Sequence, residues 1–157
     1  RRAQMAPSLS TQLNLAVRHA KRKEYDEAIR LYRAILARDG TYSNAWFNLG
    51  NALIGNNQPA EAVTALRNAV ELEPSNTKML RVLGRALLLD RKTGEAVQVL
   101  ENAVASDPAD ARLRLELAKA LKQAGRDNES RMELSKARQL NPGLSDSNAE
   151  IPQPDIQ

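Results

Sequence analysis

The sequence predicts an all-α fold, a solenoid of antiparallel helix pairs, on three observations. Ala, Leu, Glu, Arg, Gln and Lys dominate a chain of 157 residues with only 7 Gly and 7 Pro, a helix-forming composition. Pro74, Pro108 and Pro142 follow one another at intervals of 34 residues, and a fixed period of this size is typical of repeat architectures. Between them, apolar residues recur at steps of three or four, as on one face of a helix.

Other positions share the period and divide the chain into copies. The recurring columns are Leu49, Leu83 and Leu117; Leu53, Leu87 and Leu121; Leu66, Leu100 and Leu134; and Ala69, Ala103 and Ala137. We therefore predict four copies, over residues 9–42, 43–76, 77–110 and 111–142. Residues 1–8 form a lead-in, and residues 143–157 form an acidic, Pro-containing tail whose polar composition predicts disorder.

Each copy is predicted to contain two helices joined by a short turn. In the second copy the first helix covers residues 43–56, and Pro59 stands at a favourable first position of a second helix that runs to about Leu72. Gly94 and Gly125 are predicted to mark the same turn in copies three and four. The closing proline of each copy ends the second helix and begins the next copy.

The recurring positions resemble the tetratricopeptide repeat. The second copy has Trp46, Leu49, Gly50, Leu53, Ala62, Leu66, Ala69 and Pro74, and the third has Leu80, Leu83, Gly84, Leu87, Ala96, Leu100, Ala103 and Pro108. Copies one and four are looser, with His19, Gly40 and Ser130 at three family positions. The resemblance implies a right-handed superhelix with a concave groove lined by the first helix of each copy.

Two columns indicate where the array ends. Ile29, Val63 and Val97 are followed by Arg131, and Leu36, Val70 and Val104 are followed by Arg138. Arginine at both positions predicts that copy four has a polar outer face and caps itself. The alternative is that the chain continues or that a partner covers this end.

No constellation of residues predicts catalysis, so we expect a protein that is not an enzyme. His19 is the only histidine and cysteine is absent, which leaves no His or Cys cluster for a metal and no thiolate. Glycine-rich phosphate loops are also missing, and we expect no cofactor and no small-molecule substrate.

Neither a membrane span nor a signal peptide is visible in the sequence. Because the chain opens with Arg1 rather than Met, we interpret it as a fragment. A cytoplasmic location is favoured, and a periplasmic one stays open if an anchor or signal stood upstream.

Helical spacing within the first helix of each copy selects the side chains that would line the groove. The predicted peptide-binding residues are Leu13, Asn14, Val17, Phe47, Asn48, Asn51, Ile54, Lys78, Arg81, Arg85, Leu88, Arg112, Lys119 and Lys122. With Lys21, the face carries seven basic residues against Glu116 alone, and the excess lies in its second half. The first half is apolar and carries the asparagines.

This pattern predicts a non-catalytic module that binds an acidic, partly apolar segment of another protein. Asparagine amides hydrogen-bond a peptide backbone through both C=O and N–H, and Arg and Lys bind carboxylates through charge-assisted bonds. Phe47, Ile54, Leu88 and Leu89 would receive an apolar anchor. The competing interpretation is that the polar residues only solvate a helix face.

Two branches of the repeat family offer closer comparisons. Only Asn48 and Lys78 match the carboxylate clamp of chaperone-tail receptors. Asn14 and Asn48 resemble the start of the asparagine ladder in protein O-GlcNAc transferases, which here is interrupted at Val82 and Glu116.

Three alternatives remain open at the level of sequence. The repeats could serve as an assembly or targeting module of a larger, perhaps membrane-anchored bacterial complex, through the convex face or the ends of the array. Nucleic-acid binding is disfavoured because few aromatic residues are available for base stacking. The acidic tail could itself occupy the groove, in its own or a neighbouring molecule.

Overall fold

A computed structural model describes residues 5–144, and these residues form eight helices and no strand. The helices are α1 (Leu9–Lys21), α2 (Tyr25–Arg38), α3 (Ser43–Gly55), α4 (Pro59–Leu72), α5 (Thr77–Leu89), α6 (Thr93–Ser106), α7 (Ala111–Gln123) and α8 (Asp127–Leu140). Each odd-numbered helix packs against the even-numbered helix that follows it. The predicted all-α solenoid is confirmed. Most of the predicted tail, residues 145–157, lies outside the described part of the chain.

A repeated backbone turn precedes three of the first helices and recurs after α8. Its N–H donors are Tyr42, Asn76, Asp110 and Leu144, and its carbonyl acceptors are Asp39, Glu73, Asp107 and Asn141. Two of the donors then cap the helix that follows. The Asn76 side chain accepts from Met79 N at 3.2 Å, and that of Asp110 accepts from Arg112 N at 2.8 Å. Short polar side chains at this position satisfy N–H groups that the helix itself leaves unpaired.

The turn inside each helix pair contains one residue with left-handed backbone. This residue is Lys23 (φ 61°), Asn57 (φ 59°), Arg91 (φ 63°) or Gly125 (φ 77°). The assignment of Gly125 to the turn is confirmed, and that of Gly94 is wrong. Gly94 lies inside α6, and Arg91 holds the turn position in that copy. Glycine alone is a poor marker here because only one of the four copies uses it for the positive φ.

Two helical glycines allow the helices of a pair to approach closely. A Cβ atom added at Gly50 would lie 2.5 Å from Cγ of Leu66, and one at Gly84 would lie 2.6 Å from Cγ of Leu100. Both leucines are fully buried. The recurring Gly and Leu columns are therefore explained by packing between the two helices of a copy.

The odd-numbered helices form the concave side of the array. The backbones of α1, α3, α5 and α7 approach one another in succession, whereas within the described residues those of the even-numbered helices lie further apart and are bridged by side-chain ion pairs such as Arg33–Glu61. Helices that meet line the inside of a curved array, and helices that diverge line the outside. We call the exposed surface of the odd-numbered helices the inner wall and that of the even-numbered helices the convex face.

Both ends of the array carry polar residues in columns that are apolar elsewhere. At the C-terminal end Arg131 and Arg138 are exposed, as the sequence predicted for a cap. At the N-terminal end Arg18 is exposed in the column where Ala52 is buried, so this end also has a polar residue in place of an apolar one. Leu15 is the exception, since it is 42% exposed whereas Leu49 in the same column is 4% exposed.

The last copy replaces an apolar contact with an ion pair. Arg114 occupies the column of Trp46, and its guanidinium contacts the Glu133 carboxylate at 2.8 Å in a largely buried site. Trp46 and Arg114 each also donate a hydrogen bond to the turn that precedes their helix. Trp46 Nε1 donates to the Gly40 carbonyl and Arg114 Nε to the Pro108 carbonyl, each at 2.8 Å.

Candidate functional site

The first half of the inner wall, built by α1 and α3, is closely packed. Val17, Phe47, Asn48 and Asn51 are all buried, although the sequence assigned them to a ligand-binding face. Their burial follows from the contacts of α3 with α1 on one side and with α5 on the other. Within this half, Leu13 and Ile54 are partly exposed and Asn14 is exposed.

Asn51 has an unusual environment. Its side chain is 6% exposed, and neither its amide nitrogen nor its amide oxygen has a hydrogen-bond partner among the described residues. Leaving such a group unpaired costs about 1–3 kcal/mol, so buried amides are nearly always satisfied. The Tyr32 hydroxyl is the other buried group without a partner in this part of the chain, and burial raises the pKa of its phenol.

Lys78 joins the two halves of the inner wall. Its ammonium lies 5.7 Å from the centre of the Phe47 ring, a distance at which the ring face attracts a cation. Burial lowers the pKa of Lys78, and the positive charges of Arg81 and Arg112 lower it further. The lysine is therefore held among other cations, and its ammonium rests against the apolar half.

Arg81 is the centre of the positive half, built by α5 and α7. Burial lowers the pKa of its guanidinium, the charges of Glu116 and Asp110 oppose this shift, and those of Arg112 and Arg85 add to it. Within the described residues, Arg81 forms no ion pair with a carboxylate. A partly buried arginine is costly unless anions compensate its burial, and here the two nearby carboxylates offset only part of the pKa shift.

Both carboxylates near Arg81 already have partners. Glu116 is 7% exposed, and its Oε1 lies 3.5 Å from the ammonium of Lys119. Asp110 caps α7, where it accepts from the backbone N–H groups of Arg112 and Leu113 at 2.8 and 3.2 Å. Neither carboxylate therefore forms an ion pair with Arg81.

Helix orientation adds to the positive potential. Lys78 lies in the first turn of α5 and Arg112 in the first turn of α7, and neither turn contains an acidic residue. The N-terminus of a helix carries a partial positive charge that favours anions and disfavours cations. Lys78 and Arg112 thus lie at positions where the helix dipoles alone would favour Asp or Glu.

The opposite rim of the positive half is more apolar. Leu88 is partly exposed and Leu89 is 51% exposed, while Lys122 lies on the adjacent helix with an exposed side chain. Gln123 links α7 to the end of α5 and the start of α6, since its amide nitrogen donates to the Leu88 carbonyl at 3.4 Å and to the Thr93 hydroxyl at 3.0 Å. Apolar surface is therefore available beside the cations.

The predicted residues thus separate into two groups. Lys78, Arg81, Arg85 and Arg112 are near enough to one another to influence each other's charge, and we call these four residues the cation cluster. Leu13, Asn14 and Val17 lie on α1, two helices away from the nearest member of the cluster. Asn14 therefore does not share one continuous polar site with the cations, and Asn48 and Asn51 are buried on α3.

A cleft on the convex side was missed by sequence reasoning. It has a volume of about 450 Å³ and is lined by Arg33, Leu36, Ala37, Trp46, Leu49, Leu53, Glu61, Thr64 and Ala65. An ion pair between Arg33 and Glu61, 2.7 Å long, stands at its rim. Small residues signal it, because the positions of Ala37 and Ala65 are occupied one repeat later by Glu71 and Val99.

Residues 5–144 contain no group of His, Cys, Asp or Glu side chains that could hold a metal ion. No helix in that range is long and apolar enough to cross a membrane. The five aromatic residues all lie within it, and none of them is exposed.

Comparison with known proteins agrees with this geometry. The family model for the tetratricopeptide repeat matches residues 19–86 and 87–149. A structure of MamA from Desulfovibrio magneticus RS-1 is 25% identical, with a TM-score of 0.79 over 88% of this chain and 78% of that one. MamA AMB-1 is 23% identical, with a TM-score of 0.80 over 91% of this chain and 85% of that one. No curated protein matches the sequence.

Proposed function

Because the chain belongs to the tetratricopeptide repeat family, whose arrays are protein-interaction scaffolds, we propose that its inner wall binds an acidic, partly apolar segment of another protein. No chemical step is part of the proposal. The partner's carboxylates would contact the cation cluster, and an apolar residue beside them would contact Leu88 and Leu89.

One observation carries the proposal, namely the partly desolvated environment of Arg81. Its guanidinium is partly buried and has other cations for neighbours, and no carboxylate of the described residues pairs with it. Such an arrangement slightly destabilises the folded chain, and the binding of an anion beside Arg81 is therefore favourable. A carboxylate of a ligand would form charge-assisted hydrogen bonds in a partly desolvated site, where these bonds are strongest.

The apolar half contributes differently under this proposal. Phe47 is 5% exposed, so its ring contacts the Lys78 ammonium but does not offer a pocket for a ligand. Ile54, Leu88 and Leu89 are the more accessible apolar side chains. The exposed amide of Asn14 remains available to a peptide backbone, whereas Asn48 and Asn51 would need the wall to open.

The test is charge reversal at Arg81 and Arg85, read by fluorescence anisotropy with a labelled peptide in which glutamates alternate with isoleucine and alanine. We expect the double variant Arg81→Glu/Arg85→Glu to bind more than about tenfold more weakly. The matched control is Arg91→Glu/Arg131→Glu, which changes the net charge equally on exposed residues outside the inner wall. Equal affinity of the two double variants would contradict the proposal.

A second candidate is assembly through the convex face, and the cleft beside Trp46 favours it. Its apolar floor could receive a side chain from a partner of a larger complex, with the ion pair of Arg33 and Glu61 at the edge. Ala37→Leu would fill this cleft, and Ala34→Leu, exposed on the same helix but outside the lining, is its control. Loss of a partner only in the first variant would favour the convex face over the inner wall.

Nucleic-acid binding is the weakest of the three candidates. The cation cluster would attract a phosphate backbone, but single-stranded binding also relies on exposed aromatic residues, and none of the five is exposed here. Competition between RNA and the glutamate peptide, measured over a range of salt concentrations, separates the two ligand classes.

A further inference from the structure

The chain leaves α8 through the same backbone turn that leads into α3, α5 and α7. The Leu144 N–H donates to the Asn141 carbonyl at 3.0 Å, as the Asp110 N–H donates to the Asp107 carbonyl at 3.3 Å. Asn141 has φ −142° and ψ 94°, and Asp107 has φ −137° and ψ 80°. In each earlier copy this turn brings the chain to the start of an odd-numbered helix, so Leu144 lies at the edge of the inner wall, beside the start of α7.

The residues that follow this turn have the chemistry proposed for a ligand. Residues 145–157 lie outside the described part of the chain, and their sequence contains Asp146, Glu150 and Asp155 but no Lys, Arg or His. Ile151 directly follows Glu150, so an apolar residue stands next to a carboxylate. We propose that residues 145–157, which we call the acidic segment, bind the positive half of the inner wall of their own chain and compete there with an acidic partner. The competition rests on the proposed function, whereas the contact of the segment with the wall does not.

Two arginines of the positive half offer partners to the acidic segment. Arg112 is exposed in the first turn of α7, and Arg81 is partly exposed on the neighbouring helix α5. Within residues 5–144 neither guanidinium forms an ion pair with a carboxylate. Carboxylates of the segment would form charge-assisted hydrogen bonds with them, and such bonds are stronger than those between neutral groups.

The acidic segment is long enough to reach both arginines. Packed helices lie about 8–10 Å apart, so α7 is one such spacing from Leu144 and α5, which packs against α7, is two spacings away. Glu150 follows Leu144 by six residues, and six extended residues span about 20 Å. Asp146 follows Leu144 by two residues, which span about 7 Å, and a long arginine side chain covers the remainder. Asp146 is therefore within reach of Arg112, and Glu150 is within reach of Arg81.

The apolar rim of the positive half lies further along the same path. Leu88 follows Arg81 by seven residues, which places it on the same face of α5 about 10 Å along the helix axis. Leu88 is partly exposed and Leu89 is 51% exposed. Ile156 follows Glu150 by six residues, so a segment held at Arg81 can bring this isoleucine to the rim.

Tethering makes weak contacts sufficient for this role. A segment joined to its site by a short connection has an effective concentration in the millimolar range. Contacts with a dissociation constant of about 1 mM as a free peptide would therefore hold the segment on the wall in about half of the molecules. A partner that binds the same surface must displace the segment, and its apparent affinity falls accordingly.

The contact can be tested with a single spin label, because the chain contains no cysteine. In the full chain, Gln153→Cys carries a nitroxide nine residues beyond Leu144, and the nitroxide broadens the backbone NMR signals of residues near it. We expect broadening in α5 around Arg81 and in α7 around Arg112. Addition of the glutamate peptide should reverse the broadening in α5.

The matched control carries the same label together with Asp146→Asn, Glu150→Gln and Asp155→Asn, which preserve the length of the tether. We expect the broadening around Arg81 to fall by about twofold or more in this neutralised chain. Equal broadening in the two chains would mean that the tether alone brings the label there, and it would overturn the proposal.

A mixed sample identifies which molecule supplies the segment. It contains isotope-labelled chain without the nitroxide and nitroxide-bearing chain without the isotope, in equal amounts. We expect no broadening in α5 of the isotope-labelled chain. Broadening as strong as in the doubly labelled chain would assign the contact to a second copy and overturn the intramolecular proposal.

Peptide affinity tests the competition. Without the spin label, the neutralised chain should bind the glutamate peptide roughly threefold or more tightly than the wild-type chain does. The control is Glu71→Gln/Glu101→Gln/Asp127→Asn, which removes three exposed carboxylates from even-numbered helices and changes the net charge equally. An equal gain in affinity in the control would mean that net charge, and not the segment, limits binding.

The two proposals fail separately. If the label broadens α5 in a charge-dependent way but the glutamate peptide binds neither chain, the proposed function and the competition are overturned, and the contact of the segment with the wall is supported. If the peptide binds the inner wall but neutralising the segment changes neither the broadening nor the affinity, the role of the acidic segment is overturned and the proposed function stands.

Discussion

The two halves of the inner wall are built on the same repeat but have opposite character. In the half formed by α1 and α3, Val17, Phe47 and Asn48 are buried, so the wall is closed. In the half formed by α5 and α7, Arg81 and Arg85 remain partly exposed. Neighbouring helices close one half by packing, whereas long charged side chains keep the other accessible to solvent.

The position of a residue in the repeat therefore does not determine the exposure of its side chain. Val17, Asn51, Arg85 and Lys119 occupy the same place in successive copies, yet the first two are buried and the last two are not. Side-chain length and charge decide the outcome, because Arg and Lys keep their heads in water while their stems cover apolar surface.

The largest effect is expected from Phe47→Ala. Removing a buried aromatic ring from the closed half should lower the free energy of unfolding by about 3–5 kcal/mol. Arg81→Ala in the open half should change it by about 1 kcal/mol or less. Chemical denaturation of both variants measures the difference, and similar losses in the two would mean that the halves are not divided into scaffold and surface.

Gly50 in α3 and Gly84 in α5 should lose similar stability when replaced by alanine. Gly50→Ala and Gly84→Ala each place a methyl group within 3 Å of a buried leucine, so each should destabilise by about 1–3 kcal/mol. Gly94→Ala meets no atom within 4 Å and should stabilise by about 0.5–1 kcal/mol. Thermal unfolding checks all three, and a large difference between Gly50→Ala and Gly84→Ala would show that the two copies pack differently.

Asn51→Leu tests whether the closed half contains a real polar defect. An apolar side chain of similar size removes an amide that is buried without a partner among residues 5–144, so we expect a stabilisation of about 1–2 kcal/mol. Asn14→Leu, an exposed asparagine in the same half, is the control and should be close to neutral. Destabilisation by Asn51→Leu would show that the amide finds a partner in solution.

The smallest effect concerns the turns. Arg91→Gly relieves a left-handed backbone and should stabilise by about 0.5 kcal/mol after the greater freedom of glycine in the unfolded chain is counted. Asn57→Gly should gain less because asparagine tolerates this conformation. Neither variant touches the inner wall, so peptide affinity should be unchanged. A loss of affinity in either would show that the turns influence the wall.

Much of the fold could be predicted from the sequence. The 34-residue spacing of Leu49, Leu83 and Leu117 indicated the helix pairs, and the arginines at 131 and 138 indicated the polar end. These features are local or strictly periodic, and a single sequence displays them. The prediction was wrong at Gly94 because the sign of φ is set by the position in the turn. Arg91 holds that position and adopts a positive φ although it has a side chain.

The candidate site was less predictable. The sequence placed Phe47, Asn48 and Asn51 on the groove side, but their burial depends on how closely α1, α3 and α5 approach. That distance is a property of the superhelix and is not readable from one copy. The cleft at Ala37 and Ala65 is a similar case, because a cavity arises where small residues on separate helices happen to face each other.

The most direct test of binding at the inner wall is a backbone NMR titration of the whole chain with the peptide in which glutamates alternate with isoleucine and alanine. We expect the largest chemical-shift changes on the N-terminal halves of α5 and α7, around Arg81 and Glu116. Changes around Trp46 and Ala37, with α5 and α7 unaffected, would contradict it and assign binding to the convex face.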